Sequence, residues 1–379
     1  MQKLILVNYQ SPGDLVMLTA AVRDLHNSYP KQFLTDVRTG SPELWENNPY
    51  ITPLDVRDPE VKVLECHYPL INASNRQPVH FLNGFIEYLN DQLGLQIKLM
   101  RRAGDIHLSN AEKRRPSLIE EVTGFDLPYW IIVAGGKLDY TIKWWHFRRW
   151  QAVVDHFRGK IIFVQVGEKH HYHPALNGVL DLRGQTPLRE LIRLVYHAQG
   201  VLGPVTMLMH LAAAVECSPG GASERPCVVV AGGREPPSWE AYPEHHFLHT
   251  MGRLSCCAEG GCWRSRSVPL GDGDEKDEPR NLCVDVIDNL PHCMHLITPE
   301  AVVEAIKLYF QKFELSGLTT PQAEAAAPFL RQESMYAFRN EIRERLGLLE
   351  QLPWPELHAQ VGQTHPRDHF ATTAEKNNN

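Results

Sequence analysis

The first segment with residues suited to chemistry is Gly13-Asp14, which opens a predicted helix directly after a short apolar strand. A helix N-terminus attracts anions, and glycine allows a ligand to approach the backbone closely. Two interpretations of Asp14 are open. It is a general base at the edge of a cleft, or it only caps its helix.

A second segment is Lys143-Trp144, with Lys137 nearby, between the end of a predicted strand and the start of a predicted helix. A lysine at this place can neutralise a diphosphate group. The alternative is an exposed lysine at a helix start.

In the third segment, residues 203–214, a predicted strand runs directly into a helix of small residues. The backbone amides of Thr206, Met207 and Leu208, together with the Thr206 hydroxyl, can hold a phosphate. The Met207 side chain itself is interpreted as part of the core or of a pocket wall. His210, one turn further on, is equally a buried structural histidine or a substrate contact.

Cysteines are concentrated in one part of the chain, because five of the eight lie between Cys256 and Cys293. Four thiolates around one Zn or Fe ion are the simplest explanation of such a cluster. The proposed ligands are Cys257, Cys262, Cys283 and Cys293, with Cys256 as the alternative first ligand. Disulfides and buried thiols without partners are the remaining possibilities.

The elements that must position these residues follow a regular alternation of strands and helices. A strand at Lys3–Val7 precedes a helix at about Asp14–Ser28, and Thr186 is predicted to cap a helix that starts at Pro187. Strands alternating with helices predict parallel sheets, and continuous apolar strands predict burial on both faces. The predicted strands of the second half are Tyr129–Ala134, Lys160–Val166, Gly200–Val205 and Cys227–Ala231.

We therefore predict an α/β fold with two doubly wound domains that face each other, with ligands in the crevice between them. Residues 1–120 form the N-terminal domain, and the polar stretch Ser109–Thr123 is predicted to be a linker. Residues 121–315 form the C-terminal domain, with a loop-rich insertion at 255–296. Residues 316–379 hold C-terminal helices, including Phe338–Leu349, and a tail.

Composition limits the class of protein. The chain has 379 residues, 43% hydrophobic and 22% charged, with a formal net charge of −7. The apolar content excludes a largely disordered chain, and the negative charge argues against a general nucleic-acid binder. No apolar run approaches the ~20 residues of a membrane span. A cytoplasmic location is expected.

Four segments in order resemble glycosyltransferase family 9, the heptosyltransferases that use ADP-heptose. They are Gly13-Asp14, Lys143-Trp144, residues 181–188 and residues 203–214, and the resemblance spans roughly residues 3 to 315. It implies a GT-B fold of two facing Rossmann-like domains, with residues 1–120 on the acceptor side and residues 121–315 binding the nucleotide sugar. It also implies an inverting transfer to a lipopolysaccharide-core or protein acceptor. Asp14 would be the general base. The residues that would bind the donor are Gly13, Lys143, Thr206, Met207, Leu208 and His210.

This sequence departs from the family pattern Gly-x-Asp-Ser/Thr-Gly-x-x-His at two positions. Val205 replaces the aspartate expected to touch the donor sugar, and Met207 replaces the second glycine. The alternatives are therefore a different nucleotide sugar, or a nucleotide-sugar-binding protein with impaired turnover.

The cysteine-rich segment resembles that of the autotransporter heptosyltransferases, which carry a cysteine-bound iron and form ring-like oligomers. The resemblance implies a structural metal, Zn or Fe, with none at the reaction centre, and a homo-oligomer. Within the same segment, Asp272 and Asp274 match the DxD of other glycosyltransferases but are interpreted as a solvated loop. His170, His171 and His173 are interpreted as exposed loop histidines, with a role at the cleft edge as the alternative.

Overall fold

The computed structural model of the chain describes residues 1–67, 70 and 73–330. The predicted helix Phe338–Leu349 and the tail lie outside the described residues. Strands and helices alternate through both halves, as predicted. The elements of the first half are β1 (Gln2–Asn8), α1 (Pro12–Ser28), β2 (Phe33–Thr39), β3 (Val61–Glu65), α2 (Phe81–Leu93), α3 (Asn110–Arg114) and α4 (Leu118–Thr123).

The second half holds the larger set of elements. They are β4 (Tyr129–Ile132), α5 (Phe147–His156), β5 (Ile162–Gln165), β6 (Leu180–Asp181), α6 (Leu188–His197), β7 (Gly200–Pro204), α7 (Met207–Ala214), β8 (Cys227–Gly232), α8 (Pro237–Glu240), β9 (His245–His249), β10 (Val286–Ile287), β11 (Leu290–Pro291), α9 (His292–His295), α10 (Pro299–Lys312) and α11 (Thr320–Ala326).

The N-terminal sheet is parallel, with strand order β2-β1-β3. Its central strand is buried on both faces, because Leu4, Ile5 and Leu6 are at most 1% exposed. The following helix α1 begins at Pro12, where a proline needs no N–H partner. This tight strand-to-helix turn places residues 11–14 at the carboxyl edge of the sheet.

The C-terminal sheet is parallel throughout, with strand order β6-β5-β4-β7-β8-β9. Counted from the first strand of this half, that is the order 3-2-1-4-5-6 of the dinucleotide-binding fold. The order reverses between β4 and β7, so the loops after these two strands border a crevice at the carboxyl edge. Both carry residues singled out above, Lys143 after β4 and Thr206 after β7.

The stretch predicted to be a linker is instead structured. It contains α3 and α4, which begin at Ser109 and Ser117, and each serine side chain accepts a backbone N–H three residues on. The buried Arg193 of α6 then binds Glu121 and the carbonyl of Pro116, fixing the segment to the C-terminal half. The composition is polar because the segment is rich in helix caps and ion pairs.

The two halves meet where α1 packs against α7. Gly104 lies between them, since a Cβ there would lie 2.7 Å from Val16 Cγ1 and 2.9 Å from the Ala214 Cβ. One apolar cluster continues across this contact, while a second fills the space between the large sheet, α5 and α10. In the described part of the chain, no helix is long and apolar enough to cross a membrane.

A glycine in the middle of the large sheet gives a test of its packing. Gly200 on β7 is paired with Trp130 on β4, and a Cβ at Gly200 would overlap the indole ring. We expect Gly200→Ala to lower the free energy of unfolding by about 1–3 kcal/mol through overpacking. Chemical denaturation measures this loss. Gly40→Ala is the control, because an added Cβ there meets nothing within 4 Å; equal effects of both changes would contradict the packing described.

Candidate functional site

A cavity of about 690 Å³ lies at the carboxyl edges of both sheets. Its walls come from the loops after β1, β4, β5, β6, β7 and β8, so both halves contribute. All of the predicted donor-side residues line it, as does Asp14. These are Gly13, Asp14, Lys143, Thr206, Met207, Leu208 and His210.

Asp14 lies in the first turn of α1, on the wall formed by the N-terminal half. Its Oδ2 accepts the backbone N–H of Ser11 at 3.0 Å, closing a capping box. Asp14 thus caps its helix and lines the cavity at once, so the two sequence interpretations are compatible. Gly13 approaches α7, where a Cβ would lie 3.1 Å from His210 Cδ2.

Lys143 lies at the end of a short 3₁₀ helix and contacts a buried carboxylate. Its Nζ is 2.7 Å from Glu235 Oε1, and the Arg234 guanidinium binds the same carboxylate. Burial alone would raise the pKa of Glu235, but the two cations outweigh it and hold the pKa below its usual value. The cavity wall therefore contains an ionised acid between two cations.

The N-terminus of α7 faces the cavity. Thr206 is the N-cap residue, yet its side chain makes no capping bond, and Oγ1 is buried without a hydrogen-bond partner. Met207 and Leu208 follow in the first turn. A buried hydroxyl and the backbone amides at a helix start are the groups from which a phosphate oxygen accepts hydrogen bonds.

His210 is 4% exposed and belongs to a buried network. Its Nδ1 is 2.9 Å from the Tyr242 hydroxyl, which also contacts Met17 Sδ on α1. Burial lowers the pKa of His210 well below its usual value, and Lys143 adds to the effect. His210 is therefore neutral and both structural and cavity-lining.

Sequence reasoning missed two acidic residues, Glu235 and Glu240, which are 4% and 5% exposed. Both line the cavity, and in each the Oε2 atom has no hydrogen-bond partner. Their position could have indicated a place at the cavity. They follow β8 and its two glycines, and loops at the carboxyl ends of such strands border the crevice.

An aromatic pair borders Arg234 at the same wall. Its guanidinium lies 5.0 Å from the Tyr140 ring centre and 5.4 Å from that of Trp263. Across the cavity, Lys137 Nζ donates to Ser11 Oγ at 2.8 Å, joining the two halves beside the start of α1. A second link between the halves runs through Asn75, whose side-chain amide bonds both backbone groups of Gly261.

The cysteine-rich segment packs onto the turn at the end of β8. A Cβ on Gly233 would lie 3.0 Å from Cys257 Sγ, and one on Gly232 would lie 3.3 Å from Cys293 Sγ. Burial raises the pKa of Cys293 to about 12, and Cys262 and Cys283 add to the effect. Cys262, Cys283 and the alternative ligand Cys256 are therefore within electrostatic range of Cys293. Still, among the described residues no three His, Cys, Asp or Glu side chains are grouped as metal ligands.

The structure also shows the surroundings of Asp272 and of the histidines that follow β5. The Asp272 carboxylate binds Nη1 and Nη2 of the buried Arg266, both at 2.8 Å, so it is an ion-pair partner on a partly exposed loop. His170 is exposed as predicted. The interpretation is wrong for His173, which is buried against Gly167, and for the half-buried His171, and both line the cavity.

Solved structures share this fold. A family 9 glycosyltransferase from Veillonella parvula DSM 2008 aligns at 14% identity and TM-score 0.56, over 82% of this chain and 98% of that one. ADP-heptose LPS heptosyltransferase II of E. coli aligns at 14% identity and a TM-score of 0.53, over 83% of this chain and 100% of that one. The iron-containing dodecameric glycosyltransferase TibC of enterotoxigenic E. coli H10407 aligns at 18% identity and a TM-score of 0.55, over 82% of this chain and 76% of that one.

TibC has also been solved in complex with ADP-D-β-D-heptose. No protein-family model and no curated protein sequence matches the chain. At these low identities the likeness establishes the fold. The predicted GT-B class, with two facing α/β units, is thereby confirmed.

The buried ion pair of Lys143 and Glu235 leads to a stability prediction. Lys143→Met leaves Glu235 buried with one cation, so we expect the free energy of unfolding to fall by about 2–4 kcal/mol. Adding Glu235→Gln removes the buried charge and should recover at least half of the loss. A double-mutant cycle in denaturant measures the coupling. Strictly additive losses would show that the pair contributes nothing.

Proposed function

We propose that this chain is an inverting glycosyltransferase that moves heptose from ADP-heptose to a hydroxyl of a lipopolysaccharide-core or protein acceptor. The observation that carries the proposal is the lining of the cavity. Asp14 of the N-terminal half lies on one wall, and Lys143 and the start of α7, both of the C-terminal half, lie on another. The solved structures of ADP-heptose-dependent enzymes with this fold support the choice of donor.

Asp14 is the proposed general base. It removes the proton of the acceptor hydroxyl as that oxygen bonds to the anomeric carbon from the face opposite the diphosphate. The capping bond to Ser11 N holds the carboxylate in place, and α1 presents it to the cavity. The bond between the anomeric carbon and the diphosphate oxygen breaks, so the configuration inverts.

The charge of the departing diphosphate falls on the C-terminal half. The amides at the start of α7 and the Thr206 hydroxyl bind its oxygens. Lys143 has three N–H donors and uses one on Glu235, so two are left for the diphosphate. Gly13 and His210 complete the donor site by permitting the close approach of the two helices.

A second candidate function is a protein that binds a nucleotide sugar with little or no turnover. Two observations favour it. Glu235 offsets the charge of Lys143, and the apolar Val205 and Met207 side chains occupy cavity positions beside Thr206. The same features support a different nucleotide sugar as donor.

Transfer activity tests the proposed base. The protein is incubated with ADP-heptose and a panel of acceptors, and ADP release and product mass are measured. Asp14→Asn keeps an oxygen that can accept the Ser11 N–H, so the helix start is preserved while the base is lost. We expect transfer to fall by about 100-fold or more while ADP-heptose still binds.

The matched control is Asp91→Asn, an exposed position on α2 in the same half. It should retain full activity. Unchanged transfer in Asp14→Asn would remove Asp14 as the base. Tight nucleotide-sugar binding without transfer by the wild type would favour the second candidate function.

We also propose that Cys257, Cys262, Cys283 and Cys293 hold one structural Zn or Fe ion, with Cys256 as the alternative to Cys257. The support is that Cys257 and Cys293 both lie against the glycine turn at the end of β8, and that four thiolates are a donor set that suits either metal. Bound as thiolates, they would fix the segment around Trp263, which lines the cavity.

Elemental analysis and an absorption spectrum of the purified protein test the metal. We expect about one ion per chain, lost in Cys262→Ser and Cys293→Ser. Cys217→Ser is the control, because Cys217 lies outside this segment, and it should keep its metal. A metal-free wild type, or full metal content in Cys262→Ser, would contradict the assignment.

A further inference from the structure

Glu240 is the last residue of α8, the short helix that follows β8 on the cavity wall. Its neighbour Trp239 stacks on Phe81 of the N-terminal half, with ring centres 5.1 Å apart and an interplanar angle of 18°. The position of Glu240 is therefore fixed from both halves. Its side chain is buried, although glutamate is rarely buried without a partner.

The carboxyl group of Glu240 has an oxygen with nothing to bond. Oε2 is buried without a hydrogen-bond partner, and the nearest ring nitrogen, His210 Nε2, is 3.6 Å away. Leaving a buried polar atom unsatisfied is costly unless a ligand completes it. The adjoining Glu235 has the same feature at its own Oε2.

The charges around Glu240 decide its protonation. Lys143 and Arg234 both contact Glu235, so Glu240 has no counter-ion of its own. Burial raises the pKa of Glu240 to about 8; the charges of Glu235 and Asp14 add to the effect, and those of Lys143 and Arg234 offset only part of it.

The remaining titratable groups around Glu240 are uncharged at neutral pH. They are His210, Tyr242, His80 and His245; burial lowers the pKa of His80 to about 4 and of His245 to about 3, and raises that of Tyr242. The two neighbouring acids therefore differ at neutral pH. Glu235 is a carboxylate that only accepts hydrogen bonds, and Glu240 is a carboxylic acid that also donates one.

We propose that Glu240, with Glu235, binds the hydroxyl groups of the transferred sugar, with protonated Glu240 as donor and ionised Glu235 as acceptor. A hydroxyl group both donates and accepts, so the pair matches a polyol, whereas the ionised Glu235 would repel a phosphate. The sugar therefore lies at the α8 wall and the diphosphate at the start of α7. This inference rests on the proposed function and assigns its sugar-binding residues.

The experiment compares a nucleotide sugar with its free nucleotide, taken as the β-methyl ester of the same nucleoside diphosphate, because this ester has the charge of the nucleotide sugar and no terminal phosphate that titrates near neutral pH. Calorimetry gives both dissociation constants at about pH 7 and about pH 9, on either side of the Glu240 titration. The nucleotide sugar is whichever of ADP-heptose, ADP-glucose and UDP-glucose binds the wild type most tightly. The ratio of the two constants isolates the contribution of the sugar, because general effects of pH on the diphosphate cancel.

For the wild type we expect the sugar contribution to fall by about tenfold at the higher pH, as Glu240 loses its proton. Glu240→Gln keeps a neutral donor, so the contribution should remain and no longer depend on pH. Glu240→Leu should lose it at both pH values while the free nucleotide still binds. Glu244→Gln, at an acid outside the cavity that pairs with Lys312, should behave as the wild type.

A readout without ligand tests the proton itself. Because the pKa of Glu240 is higher in the folded chain, the wild type should lose stability as pH rises from 4.5 to about 8. Glu240→Gln should show a shallower loss in thermal unfolding, and the same slope in both proteins would overturn the protonated state.

The outcomes separate the two proposals. A sugar contribution that is independent of pH in the wild type, or unchanged in Glu240→Leu, overturns the role of Glu240 alone. If the wild type binds neither nucleotide sugars nor free nucleotides, the proposed function fails and this inference fails with it.

Discussion

The close approach of α1 to α7 is the constraint on which the site depends. These two helices come from different halves of the chain, and each begins directly after a strand of its own sheet. Gly13 allows the approach, because any larger residue would press on His210. As a result, the carboxylate of Asp14 and the amide end of α7 share one cavity, although almost 200 residues separate them in the sequence.

The sheets could be predicted because their strands are continuous apolar runs, and the position of the cavity could be predicted because it lies where those strands end. β2 and β9 could not, since FLTDVRT and HHFLH mix polar with apolar residues and take their burial from the strands beside them. The α6 helix begins one residue later than predicted, at Leu188, and Thr186 does not cap it. The predicted linker Ser109–Thr123 is structured despite its polar composition, because Ser109 and Ser117 cap two short helices within it.

The charge states of the acidic residues in the cavity wall could not be predicted from the sequence. Glu235 and Glu240 are five positions apart, yet one is held as an anion and the other as an acid. The difference comes from Arg234 and from Lys143, which the fold brings from a distant loop, because both contact the Glu235 carboxylate directly and act on Glu240 only at longer range. A glutamate has no fixed role until its neighbours are known, and those neighbours are set by tertiary structure.

The side-chain amide of Asn75 pairs with the backbone of Gly261 as a neighbouring strand would. Its amide donates to the Gly261 carbonyl and accepts the Gly261 N–H, each at 2.9 Å, and it also accepts the Trp263 indole N–H at 3.0 Å. The tip of the cysteine-rich segment, Gly261 to Trp263, thus has polar groups that hydrogen-bond to the N-terminal half of the chain. Pulling the halves apart at this edge would expose those polar groups, so the order of the tip is tied to how far the crevice is closed.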